Sequence, residues 1–185
     1  MTYITKKMKL FSETDFKAFK QLLLSLTKET KKTFNHFGTI NLKTVNQIID
    51  NEISNLDKIK FFIFNDDELI GYGFLNKFKK PEKKHTCILG IVISDKWQSK
   101  GIGRTLLQKM IKSAWADGFT KIWLNLHYDN KQAFRLYTSQ NFEIEGIFMN
   151  EEIFEGKKRH LISMALFKNK KSLTQNRLDL LKKLM

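Results

Sequence analysis

Apolar positions along the chain follow two rhythms in turn, one with helical spacing and one with the period of a strand. Ser12-Glu13-Thr14-Asp15 has the form of a helix start, a hydroxyl cap with an acidic residue three positions on. Behind it, Phe16, Phe19, Leu22, Leu23 and Leu26 recur at helical spacing and predict one amphipathic helix. Residues from about Phe34 to Asn41 read as a loop, and Val45, Ile48, Ile49 and Ile53 form the apolar face of a second, shorter helix. Phe61-Phe62-Ile63-Phe64 and Leu69-Ile70-Gly71-Tyr72-Gly73-Phe74 flank the polar run Asn65 to Glu68, which predicts a hairpin.

Cys87 to Ser94 is a nearly continuous apolar run of strand length, as a strand buried on both faces requires. A loop, Asp95 to Lys100, leads into Gly101-Ile102-Gly103. Ile102, Leu106, Leu107, Met110, Ile111, Ala114 and Trp115 then mark one stripe of a strong helix that Gly118 ends. Ile122, Leu124 and Leu126 alternate with Trp123, Asn125 and His127, the pattern of a half-buried strand. Asn130 opens another helix reaching about Ser139, and Phe142 to Phe148 with His160 to Phe167 predict a closing strand pair. The stretch Lys168 to Met185 is basic and helical, with Leu178, Leu181 and Met185 on one side. It docks on the domain, joins two copies into a homodimer or touches another partner; the pattern leaves these open. No repeat and no composition shift marks a second domain. The expectation is one α/β domain over residues 1–167 with an appended C-terminal helix over 168–185.

Composition narrows the setting. With 42% apolar residues and 16 phenylalanines, the chain has the makings of an aromatic-rich core and needs no disulfide or metal to fold. A single cysteine, Cys87, cannot form an intramolecular disulfide, and the first residues lack the apolar stretch of a signal peptide. No run of eighteen apolar residues exists to span a membrane, so the expectation is a cytoplasmic protein without membrane contact. The net charge of +14 raises the question of a nucleic-acid partner. The lysines are scattered in pairs, such as Lys31-Lys32, Lys83-Lys84 and Lys157-Lys158, with no RNA-binding strand motif. A solvated basic surface that favours phosphate-bearing ligands is the expected meaning. Four scattered histidines and one cysteine lack metal-ligand spacing, so no metal is expected.

The most informative segment is Gln98-Ser99-Lys100-Gly101-Ile102-Gly103-Arg104, between the buried strand and the strong helix. The first turn of a helix offers unpaired N–H groups and the positive end of a dipole, so it attracts anions. Glycines let a phosphate approach the backbone, and Lys100 and Arg104 add charge. A Walker loop is excluded because Gly103 is followed by Arg-Thr with no glycine at the required distance. A dinucleotide fingerprint is excluded because Leu106 stands where the third glycine belongs. Downstream, Asn130, Ala133 and Tyr137 share one helix face, a small residue between polar ends against which a slim ligand can pack.

These two segments resemble the GNAT superfamily of N-acetyltransferases. The Gln98 to Gly103 segment is similar to its coenzyme A signature [Q/R]-x-x-G-x-[G/A]. The Asn130 segment is similar to its pattern N-x-x-A-x-x-[L/F]-Y-x-x-x-G-F-x-x-x-G, carried by Asn130, Ala133, Leu136, Tyr137, Phe142 and Gly146. Asn141 departs from the family's glycine, but asparagine tolerates the left-handed conformation, so the turn is expected to survive. The resemblance covers about Leu69 to Leu166. It implies a mixed, mostly antiparallel sheet with a splayed central strand pair, flanked by helices, and acetyl-CoA as co-substrate without a metal.

The same resemblance implies that the cofactor's amide arm bonds to a strand edge at Ile91, Val92 and Ile93. It places the pyrophosphate on Gln98, Ser99, Lys100, Gly101, Ile102, Gly103 and Arg104, with Asn130, Ala133 and Tyr137 alongside. The resemblance further implies that a primary amine, small or peptidic, attacks the thioester directly, that a backbone N–H near Ile91 stabilises the oxyanion and that Tyr137 protonates the leaving thiolate. Cys87 as a covalent nucleophile is a weaker alternative, since no histidine stands in a recognisable relation to it. For the base, the strand Ile88 to Ile93 offers no carboxylate, which leaves His127, Asp129, Glu151 and Glu152 as candidates. The acidic run Asn150 to Glu155 reads as the loop between the last strands, where Glu151 and Glu152 would greet a cationic amine such as a polyamine or aminoglycoside, or a peptide amino terminus. Two other classes remain: an acetyl-CoA-binding sensor without turnover, and a basic ribosome- or nucleic-acid-associated module.

Overall fold

The computed structural model describes residues 3–8, 11–34 and 40–169. The expected helix over 168–185 lies almost entirely outside the described residues, as does most of the loop expected from Phe34 to Asn41. Among the described residues, seven strands form one sheet: β1 (Tyr3–Met8), β2 (Lys58–Asn65), β3 (Glu68–Lys77), β4 (Thr86–Ile93), β5 (Lys121–His127), β6 (Glu143–Phe154) and β7 (Lys157–Phe167). Their spatial order is β1-β2-β3-β4-β5-β7-β6. Every neighbouring pair is antiparallel except β4 and β5, which run parallel. The helices are α1 (Glu13–Ser25), α2 (Lys28–Thr33), α3 (Val45–Ser54), α4 (Ile102–Ala116) and α5 (Lys131–Ser139).

The sheet is a middle layer because β2, β3 and β4 carry apolar side chains on both faces. Phe61 and Ile63 of β2 join Ile70 and Leu75 of β3 against α4, whose Leu106, Leu107 and Met110 are wholly buried. Phe62 and Phe64 point the other way, with Tyr72 and Phe74, into a core closed by Phe19, Leu22 and Leu23 of α1 and Ile49 of α3. Each such side chain contributes about 1.5–3 kcal/mol on burial, which fixes strand register more firmly than backbone pairing could. No described helix is long and apolar enough to cross a membrane.

The helix starts follow the local chemistry. Ser12 caps α1 reciprocally with Asp15, a capping box. Gly118 takes a left-handed φ of 86° at the end of α4. Asn141, where the resembled family has glycine, sits at φ 64° and makes the turn as expected.

Two elements have no counterpart in the hydrophobic pattern. β1 is an edge strand, half-exposed with charged residues. α2, Lys28 to Thr33, contains no apolar residue, so it gives no periodic signal. It is capped by Thr27 and tied to the chain beyond β4: Asp95 accepts from Thr27 Oγ1 at 2.7 Å, Thr27 N at 2.9 Å and Thr30 Oγ1 at 2.5 Å. Burial pushes the Asp95 carboxyl up, but these hydrogen bonds outweigh it and hold it below its usual range.

The expectation of a loop over Asn150 to Glu155 is overturned. β6 continues to Phe154 with Glu152 opposite Arg159, and the turn is Glu155-Gly156, at φ 49° and 75°. Two successive left-handed residues suit a tight hairpin, and glycine supplies the second at no steric cost. The polar run reads as a turn because β6 is irregular there. Its register shifts between Phe148 and Glu152, and Asn150 at φ 57° donates its N–H to His160 Nδ1 at 2.9 Å.

Candidate active site

The parallel pair β4·β5 is joined only over Thr86, Cys87 and Ile88 against Lys121, Ile122 and Trp123. Beyond Ile88 the strands diverge, each remaining paired to its other neighbour. A cleft of about 670 Å³ opens between them, walled by β4, β5, α2 and α5. Which β4 groups enter it follows from register. Ser94 N donates to Ile70 O at 2.9 Å, so these two form a hydrogen-bonded pair. Antiparallel alternation then turns the N–H and C=O of Val92 and Gly90 toward β3, and those of Leu89, Ile91 and Ile93 into the gap. Ile91 thus turns its N–H and C=O into the gap and Ile93 its N–H, the Ile93 C=O being taken by the Gln98 amide, while Val92 faces β3 with its backbone. Gly90 is required by close approach, because a Cβ would lie 2.3 Å from the Phe74 ring across the cleft wall.

At the mouth, Ser99 (φ 59°) and Gly101 (φ 81°) are left-handed and bend the chain into α4. Gly101 occupies the cap position and carries no side chain to satisfy the first-turn amides, which point outward. Lys100 and Arg104 are exposed beside this turn, with the Lys100 ammonium 4.8 Å from the Trp97 ring centre. Ile102 contributes only its amide there, since its side chain is buried in the core. Gly103 lines the cleft, and a Cβ on it would come 3.4 Å from Leu136 of α5. Gln98 is spent internally: its amide donates to Ile93 O at 3.1 Å and Thr30 Oγ1 at 3.2 Å, which locks the turn to β4 and α2.

α5 forms the opposite wall. Asn130 caps it, accepting from Ala133 N at 3.0 Å, so its side chain shapes the helix end. Ala133 and Tyr137 line the cleft one turn apart, and Gln132 reaches Ser99 Oγ at 3.3 Å. Tyr137 is 6% exposed, its ring 5.5 Å from Phe142, and the described residues place no partner on its hydroxyl. Burial drives its phenol well above the ordinary tyrosine value, so the O–H is retained at every physiological pH.

The cleft also has a polar lining. Trp123, Asn125 and His127 of β5 line it, together with Glu29 and Thr30 of α2, Asp129, and Glu152 of β6. Strand alternation admits only one of the two adjacent glutamates: Glu152 lines the cleft and Glu151 is exposed outside it. Glu29 and Thr30 could have been found only through the Thr27 cap signal, since nothing apolar marks α2.

Cys87 is buried, and burial raises its thiol to about 12. It is not among the cleft-lining residues, so covalent catalysis through it has no geometric support. Native protein at pH 8 is therefore expected to resist iodoacetamide until it unfolds, whereas denatured protein takes up one label. Rapid labelling of the native chain, followed by mass spectrometry, would contradict this.

Comparison with known proteins agrees with this geometry. The sequence profile described as "Acetyltransferase (GNAT) family" matches residues 24–142. The L-amino acid N-acetyltransferase AaaT of Escherichia coli (strain K12) is 28% identical over 83 residues, 44% of this chain and 51% of that protein. The spermidine N(1)-acetyltransferase of the same organism is 26% identical over 130 residues, 68% of this chain and 67% of that one. The chain thus spans only about half of the first relative and about two thirds of the second. In fold it is similar to yncA of Salmonella typhimurium, solved with its cofactor acetyl-CoA: TM-score 0.75, 17% identity, covering 92% of this chain and 96% of that one. The seven-stranded, mostly antiparallel sheet with its splayed parallel pair is the fold of these proteins. With the profile spanning well over half of the chain, from the end of α1 through β2 to β5 and α5, the chain belongs to the acetyltransferase (GNAT) family.

Proposed function

We propose that this protein transfers the acetyl group of acetyl-CoA to a primary amine by direct attack on the thioester. The observation that carries the reading is the open gap between β4 and β5, with the Tyr137 hydroxyl on one side and the uncapped Gly101 turn at its mouth. The pyrophosphate sits on the amides of Gly101 to Arg104, with Lys100 and Arg104 nearby. The pantetheine arm runs along Ile91, whose N–H and C=O need partners, and the Ile93 N–H, and packs on Ala133. The thioester then lies near Ile91 N–H, which stabilises the oxyanion, and Tyr137 protonates the sulfur as the C–S bond breaks.

Atoms balance as follows. The ammonium sheds one proton and the free amine attacks the carbonyl carbon. The nitrogen loses a second proton as the thiolate departs with the one from Tyr137, so the tyrosine is restored and one proton is released net.

The acceptor reads as a cationic amine. In a chain of net charge +14, the cleft wall carries the carboxylates Glu29, Asp129 and Glu152 against a single lysine, Lys131. Asp129 is paired with Arg159 and Glu29 lies 3.8 Å from Lys32, which leaves Glu152 as the carboxylate a cation would meet. The similarity to a spermidine acetyltransferase points the same way. The reading is tested by titrating acetyl-CoA calorimetrically and by following thiol release with a chromogenic disulfide across primary amines; buried Cys87 adds no background. Binding with amine-dependent release supports it. Binding without release for any amine favours an acetyl-CoA sensor, and no binding ends it.

A further inference from the structure

His127 and Glu152 line the cleft beside the buried Arg159, and the acyl transfer leaves these side chains without a role. Glu152 of β6 stands directly opposite Arg159 of β7. His127 of β5 stands opposite Leu161, two residues along β7 from Arg159, so all three side chains share one face of the sheet. Arg159 is 8% exposed and held on several sides. It donates to Asp129 Oδ1 at 3.0 Å and to Lys32 O at 3.4 Å, and stacks 5.8 Å from the Phe154 ring centre.

The proton on His127 follows from its neighbours. Arg159 Nη1 lies 3.4 Å from His127 Nε2. A guanidinium has only donors, so Nε2 must present its lone pair and the ring proton belongs on Nδ1. Nδ1 is buried and has no hydrogen-bond partner. The atom it faces is Glu152 Oε2, 3.8 Å away and beyond hydrogen-bond reach. Burial and the Arg159 charge depress the imidazole's pKa, with Lys32 adding to this and Glu152 and Asp129 opposing it, so the ring is neutral at pH 7. A buried N–H aimed at a carboxylate that has not quite closed on it is poised for a ligand to complete the arrangement.

Of the cleft's carboxylates, Asp129 is paired with Arg159 and Glu29 lies 3.8 Å from Lys32. Glu152 holds no lysine or arginine ion pair among the described residues. Building on the transferase reading, we propose that Glu152 is the carboxylate that receives the acceptor's ammonium group, and that Arg159 and His127 position it through the Nδ1–H. One Glu152 oxygen takes the imidazole N–H when the side chain moves about 1 Å, to ordinary hydrogen-bond distance. The other faces the cleft for a charge-assisted bond to the amine. Glu152 is thus the specificity-determining residue, and Arg159 and His127 are positioning residues.

The test uses spermidine, 1,4-diaminobutane and benzylamine as acceptor probes. Glu152→Gln, isosteric but neutral, is expected to raise the amine KM at least about tenfold, with a far smaller change in kcat and none in the KM for acetyl-CoA. His127→Ala should raise the amine KM in the same direction. His127→Asn, whose amide N–H falls near the position of Nδ1, should recover most of the loss, and His127→Gln should not. Nitrogen-15 NMR of the wild type should show His127 as the Nδ1–H tautomer at neutral pH, a readout that needs no acceptor. An unchanged amine KM in Glu152→Gln overturns the ammonium site, and an Nε2–H tautomer overturns the positioning. Turnover of none of the three amines by a protein that binds acetyl-CoA overturns the cationic-amine class. Absence of acetyl-CoA binding strikes the transferase reading instead, and the tautomer still decides the Arg159–His127 contact.

Discussion

Replacing Tyr137 with phenylalanine is expected to lower turnover by roughly 10²–10⁴-fold while leaving acetyl-CoA affinity nearly unchanged. The ring is buried between α5 and the core, and phenylalanine fills the same space against Phe142. The substitution therefore removes one oxygen and little packing. That oxygen lines the cleft and bonds to no described residue, so its absence costs the ground state little. Its contribution comes when negative charge develops on sulfur, which is why kcat and not binding should register the loss. Because burial raises the phenol above its ordinary value, the acid form persists through the physiological range, and activity that depends on it is lost only as pH rises through that elevated value. A wild-type turnover number for Tyr137→Phe, or a loss confined to acetyl-CoA KM, would remove the tyrosine from the reaction.

Glu52→Ala should have the largest effect on stability, about 3–5 kcal/mol read from urea unfolding. Glu52 sits on α3, 3% exposed, with one oxygen 2.6 Å from the Lys58 ammonium and the other accepting from the Tyr72 hydroxyl. Lys58 and Tyr72 belong to β2 and β3, so this carboxylate pins the helix to the sheet. Its removal takes away the charge that compensates the burial of an ammonium and a phenol, and water cannot replace it there. On a domain whose net stability is of order 5–15 kcal/mol, the melting temperature should fall by about 10 °C. Replacing the pair together, Glu52→Leu with Lys58→Met, should recover much of the loss, because a buried ion pair is about as stable as an apolar substitute. A single substitution as mild as the double one would show that the pair is not thermodynamically coupled.

These two results would separate chemistry from scaffold, and the two were unequally legible in the chain. The Gly101 turn and the start of α5 at Asn130 could be read from residue types, because a left-handed glycine and an asparagine cap are local properties. The strand pattern from Phe61 to Ile93 also reads directly, since strands buried on both faces must be apolar throughout. The departure of Asn141 from glycine was settled by backbone physics alone.

The polar cluster beside the cleft could not be assembled in this way, and its residues show why. His127, Glu152, Arg159 and Glu29 come from four separate elements, and pairing register, which no local pattern specifies, brings three of them onto one face. The strand irregularity at Asn150 hides the continuation of β6, so a run that resembles a turn is a strand and only Glu152 of its two adjacent glutamates meets the cleft. α2 is polar on every side and is held in place by hydrogen bonds to Asp95, a residue far along the chain. Fold class and the glycine turn into α4 are written in the linear chain, because both follow from local periodicity and backbone chemistry. Which of the adjacent glutamates lines the cleft, and which nitrogen of His127 faces Arg159, emerge only on folding, because both depend on contacts between elements distant in the chain.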